Sequence, residues 1–214
     1  MVEDIKPFAD PAPLGLGAFA LTTFLLSAHN AFGGGTTPLL AFFGFALFYG
    51  GMAQFVAGIL EFRNKNVFGA TAFTTYGAFW MGLATFVALI LFGKVVPADV
   101  LPSLGWILLA FALFTSYMLI FASRVNLAVF SVFLALEITF ILLFIGNFSK
   151  DAAGTGLVSL GGYTGLLTAA IAWYASAAGV VNGMSSHPVL PVGKPLWGEA
   201  AAPVAPARVA DARI

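Results

Sequence analysis

The chain has 214 residues, 60% of them hydrophobic and only 8% charged, with 23 phenylalanines, a composition that reads as an all-α integral membrane protein and not as a soluble domain. Nine basic and nine acidic residues cancel, which leaves no electrostatic basis for nucleic-acid binding. The chain has no cysteine, so disulfides, thiolate metal sites and cysteine nucleophiles are excluded.

The opening MVEDIKPFAD has neither a basic n-region followed by an apolar stretch nor a cleavage site. No signal peptide is therefore expected, and residues 1–13 read as a cytoplasmic N-terminal segment. Its end carries Asp10, Pro11, Ala12 and Pro13, followed by Leu14 and Gly15. The two prolines lack amide donors where a helix start would leave donors unpaired anyway, so they stiffen the entrance at little cost. Asp10 suits an N-cap, and its charge suits the helix dipole.

A spanning helix needs roughly 20 apolar residues. Six such windows follow, at about 14–32, 38–61, 69–92, 101–122, 126–146 and 159–181, and together they make a transmembrane domain over 14–182. The first holds Thr22 and Thr23, reaches His29 and Asn30 at its far end, and stops at Gly33, Gly34 and Gly35. Pro38, Pro97 and Pro102 mark helix starts or loops. In the second window Gly50, Gln54 and Gly58 recur every fourth position, as a stripe for close helix packing or as a pore-facing strip with one amide. Glu61 closes that helix beside Arg63 and Lys65, where a salt bridge at the membrane face is expected. Glu137 lies about eleven residues into the fifth window, ~16 Å from its start at 1.5 Å per residue. A carboxyl at that depth serves either as a proton-relay group or as a structural acid at a helix or subunit interface. Residues 183–214 end in EAAAPVAPARVADARI and read as a cytoplasmic, largely disordered tail.

Six spans put both termini on one side. With the N-terminus inside, Lys6, Arg63, Lys65, Arg124, Lys194, Arg208 and Arg213 lie inside, and Lys94 and Lys150 outside; the excess of basic residues favours cytoplasmic termini in a cell membrane. No enzyme constellation is present. Two distant histidines, His29 and His187, cannot form a three-ligand metal site, no nucleophile–base set or phosphate-binding loop occurs, and no cofactor is expected. His29 can titrate near physiological pH and help an anion enter, or simply hydrogen-bond between helices.

DPAPLGL at Asp10–Leu16, TTFLLSAHN at Thr22–Asn30, the long segment Phe48–Trp80 and the closing IGN at Ile145–Asn147 together resemble the acetate uptake transporter family, which includes bacterial succinate–acetate permeases. The resemblance runs through all six helices in order. It implies a protomer of the urea- and amide-channel kind, assembled as a homo-hexameric ring with a pathway in each protomer. The implied activity is uptake of acetate and related short carboxylates, succinate among them, coupled to protons or channel-like. It also implies a constriction of one phenylalanine, one tyrosine and one leucine, matching Phe19, Tyr76 and Leu136; counting forward from Arg124 gives Phe133 for the third position. Tyr76 would then supply the one hydrogen-bond donor in the ring, while Phe19 and Leu136 accommodate the methyl end. Thr22, Thr23, His29, Asn30, Gln54 and Glu137 are the polar or proton-linked candidates along the way. The family opens its signature with asparagine where this chain has Asp10, which exchanges an amide donor for a charge at the cytoplasmic mouth.

The competing expectation is a channel for a neutral solute such as urea, an amide or water. An aquaporin needs two Asn-Pro-Ala motifs and this chain has one DPA; an ammonium channel needs more helices and mid-membrane histidines. A receptor-like protein would need a sizeable domain outside the bilayer.

Overall fold

The computed structural model describes residues 9–34 and 37–198, with the side chains of residues 37 and 38 left aside. Lys6, Gly35, Arg208, Arg213 and the Ala/Pro-rich stretch 199–214 lie outside the described residues. The described chain is helical throughout its regular structure: α1 (Ala12–Phe32), α2 (Thr37–Leu47), a π-helical turn (Phe48–Ala53), α3 (Gln54–Arg63), α4 (Val67–Leu91), α5 (Pro97–Ala122), α6 (Leu127–Phe148) and α7 (Gly156–Gly183). Because α2, the π turn and α3 run on as one rod, six helices are long and apolar enough to cross a membrane. The protein is a multi-pass membrane protein, with six spans among the described residues.

Local chemistry explains the helix starts. The Asp10 carboxylate accepts from the Ala12 amide at 2.9 Å, and Pro13 occupies the first turn of α1, where its missing donor costs nothing. Asn66 and Asn126 cap α4 and α6, accepting from the Gly69 and Val129 amides at 3.0 and 2.9 Å. Pro97 opens α5, whereas Pro102, expected at a helix start or loop, lies inside α5. It falls only five residues past Pro97, so the carbonyl it leaves unbonded belongs to the first, water-accessible turns and the helix continues.

α1 is the central rod. It packs along α7 and also meets α2, α3 and α4, while α6 bridges α7 and α5. Antiparallel α1 and α7 are tied at both ends: the Ser176 hydroxyl donates to the Pro13 carbonyl at 2.6 Å and the Ser159 hydroxyl to the Ala31 carbonyl at 2.8 Å. Between the ties the backbones approach so closely that any Cβ at Gly162 would collide with the Ala31 backbone.

Six spans place Asp10 and Gly183 at the same end of the bundle, here the near end. Residues 184–198, part of the stretch whose composition suggests disorder, are bonded across that end. Asn182 holds the Val189 and Leu190 amides, the Tyr174 hydroxyl donates to the Pro191 carbonyl, the Ala128 amide donates to the Val192 carbonyl at 2.9 Å, and the Leu196 amide to the Ser123 carbonyl at 2.8 Å. The Arg124 guanidinium lies 5.5 Å over the Trp197 ring.

Candidate functional site

Four cavities follow one another through the bundle. A near mouth of about 360 Å³ is bordered by Asp10, Asn126, Asn182 and Val192. It shares Ala12, Leu16 and Asn66 with a near chamber of about 80 Å³, whose walls include Phe19, Gln54, Tyr76, Phe133 and Leu136. Beyond it lies a far chamber of about 30 Å³, walled by Phe19, Thr23, Ser27, Trp80, Leu136 and Thr139. Asn30 belongs both to the far chamber and to a far vestibule of about 210 Å³ that also touches His29, Asn147 and Asp151. Even the smallest exceeds the ~10–15 Å³ that one water requires.

Phe19 and Leu136 border both chambers and so form the partition between them. They are 4% exposed each. Tyr76 and Phe133 touch only the near chamber, with ring centroids of Tyr76 lying 5.8 Å from Phe19 and 6.1 Å from Phe133. Phe19, Tyr76 and Leu136 all wall the near chamber, and of the two α6 residues it is Leu136, not Phe133, that also walls the far one.

The Tyr76 hydroxyl departs from its expected use. It sits 2.8 Å from the Thr115 hydroxyl, and Thr115 gives its single proton to the Phe111 carbonyl at 2.6 Å. Tyr76 must then be the donor in the pair, so its proton is engaged by α5 and is withheld from the constriction.

The polar candidates separate in the same way. The Thr22 hydroxyl donates back to the Ala18 and Phe19 carbonyls at 3.0 and 3.1 Å and lies against Gly50. Its neighbour Thr23 walls the far chamber, and its buried hydroxyl has no hydrogen-bond partner. Gln54 is 1% exposed and walls the near chamber, with its carbonyl oxygen unpartnered. Gly50 and Gly58 of its stripe face α1 and α4, where any Cβ would strike Thr22 and Thr74; the stripe thus packs helices and presents Gln54 to the cavity. The π turn just before Gln54 carries an extra residue per turn and resets which face the following helix shows inward. Glu61 is buried, its Oε1 without a hydrogen-bond partner beside Gly69.

Glu137 lies away from the four cavities. Its carboxylate accepts from the Ser116 hydroxyl of α5 at 2.8 Å. His187 lies after α7, with its Nδ1 3.3 Å from the Ser186 hydroxyl. Among the wall residues that the sequence does not mark out is Trp80, 3% exposed, packed on Phe19, Phe42 and Phe79, with its indole N–H unpartnered. Its only signal in the sequence is a polar atom on an aromatic side chain within an apolar span.

Residues 3–195 match the GPR1/FUN34/yaaH family. The chain is 40% identical over 188 residues to accumulation of dyads protein 2 of Saccharomyces cerevisiae, covering 86% of this chain and 65% of the yeast protein, so it spans just under two thirds of that relative's length. It is 38% identical over 188 residues to the succinate-acetate/proton symporter SatP of Escherichia coli strain K12, covering 87% of this chain and 96% of that one. A solved structure of the bacterial acetate channel SatP superposes with a TM-score of 0.78 at 36% identity, covering 87% of this chain and 99% of that chain.

Proposed function

Because this chain belongs to the GPR1/FUN34/yaaH family, we propose that it moves acetate and related short-chain carboxylates, succinate among them, across the cell membrane through a pathway inside each protomer. The near end is cytoplasmic, and protomers assemble as a homo-hexamer. The observation that carries the reading is the series of cavities interrupted by Phe19 and Leu136. None of the described residues walling the two chambers is charged.

A bare carboxylate between those walls would give up its hydration without a counter-charge, at a cost of several kcal/mol. The protonated acid gives up much less. The solute therefore crosses the partition together with a proton, and since no titratable carboxylate or imidazole walls the two chambers among the described residues, the proton rides on the acid itself. The proton-coupled name of one relative and the channel name of the other fit the same physics at different degrees of hydration.

The test is flux of labelled acetate against labelled urea into vesicles containing the full chain, with protein-free vesicles as the baseline. An inward proton gradient should drive acetate accumulation well above baseline, and a membrane potential of equal size should not. Uptake driven by potential alone would mean that the bare anion passes, which is the passive anion-channel reading. Urea moving as fast as acetate would overturn the carboxylate assignment.

A further inference from the structure

We infer that Trp80 and Thr23 form a hydrogen-bonding site for the solute's carboxyl group on the far side of the Phe19–Leu136 partition, deepening the carboxylate reading above on which it rests. Both side chains wall the far chamber. They are 3% and 4% exposed, and the Trp80 indole N–H and the Thr23 hydroxyl are buried without hydrogen-bond partners.

Three neighbouring hydroxyls are engaged. Thr22 bonds back to α1, Tyr76 to Thr115, and Thr139 to the Ala135 carbonyl and to Thr164. A threonine in a helix ordinarily donates to the carbonyl one turn back, so a hydroxyl that leaves this bond unmade beside a cavity is available to a guest. An indole has one donor and no acceptor, and the rings around Trp80, Phe42 at 5.8 Å and Phe79 at 4.9 Å, offer only weak π-face acceptance. A buried donor left unpaired destabilises the empty protein, and a carboxyl oxygen arriving from the partition would satisfy it.

The two residues come from α1 and α4, the helices that also supply Phe19 and Tyr76. Trp80 contacts the Phe19 ring directly, with centroids 6.4 Å apart. Binding at the indole is thus coupled to the ring that closes the passage. Two neutral donors bind a carboxylate or its acid without the fixed charge that would trap it, as a transport site requires.

Substituting Trp106, Trp173 and Trp197 by phenylalanine leaves Trp80 as the sole indole of the full chain. Sodium acetate should then change its emission saturably, while sodium chloride at equal concentration should not, and Thr23→Val should weaken the acetate response. Trp80→Phe, which keeps an aromatic ring against Phe19, should raise the KM for acetate flux about fivefold or more, as leaving a buried acceptor of the solute without its donor implies. An emission indifferent to acetate, or a Trp80→Phe chain with the parent KM, overturns the site. A parent chain that carries no acetate but whose Trp80 emission responds to it would sink the transport reading and leave the site standing.

Discussion

The Tyr76 hydroxyl donates to the Thr115 hydroxyl across 2.8 Å, joining α4 to α5 at the depth of the constriction. The bond adds a polar tie to the ring contacts Tyr76–Phe114 and Phe79–Phe111 that already join these two helices. Tyr76→Phe should therefore cost about 1 kcal/mol of stability, the net worth of a buried neutral hydrogen bond, and lower acetate flux little. Thermal unfolding and vesicle flux on the same preparation check both. A large loss of flux with unchanged stability would return the donor role to Tyr76.

The partition is a matter of bulk. Phe19→Ala or Leu136→Ala should join the near and far chambers and admit larger acids such as butyrate or benzoate, with a stability cost of about 2–5 kcal/mol from the cavity created. Phe133→Ala enlarges only the near chamber and should leave the size limit where it was. Uptake of a graded series of carboxylates by the three variants decides the point, and a size limit shifted by Phe133→Ala alone would exchange the roles of the two α6 residues.

Glu137 and Ser116 form a bond between α6 and α5 that lies away from the cavities. Glu137→Gln retains an oxygen for Ser116 to donate to, so the pH profile of acetate uptake should superimpose on that of the parent chain. A flattened profile would place Glu137 in a proton relay after all.

Asp10 performs two jobs that can be separated. Asp10→Asn keeps the acceptor for the Ala12 amide and removes the charge that borders the near mouth. Stability should change by no more than about 0.5 kcal/mol, since either side chain offers the Ala12 amide an acceptor oxygen. Carboxylate exchange through the near mouth should speed up several-fold at low salt and converge on the parent rate at high salt, because exposed charges are screened beyond about 10 Å at 0.1 M. Rates that do not depend on ionic strength in either chain would remove the repulsion.

Six spans and their limits to within a few residues were legible in the chain. Crossing a bilayer is a local property: about 20 consecutive apolar residues suffice, and every backbone polar group must be satisfied inside its own helix. Resemblance along Phe48–Trp80 then pointed to the pathway. What stayed hidden was direction within each helix. When a span is apolar all round, periodicity does not tell its inward face from its outward one, so Thr22 and Thr23 look alike, as do Leu136 and Phe133.

Only the packed bundle separated them. Thr22 bonds back to its own helix beside Gly50, and Thr23, one residue on and turned by about 100°, walls the far chamber. Tyr76 gives its proton to a residue 39 positions away, and Trp80 keeps its own beside Phe19. The sequence by itself determined that this chain lives in a membrane as six helices, because that follows from composition read locally. Which hydroxyl or indole is left without a partner was settled by packing, since a hydrogen-bond donor is free only after every helix around it has taken its place.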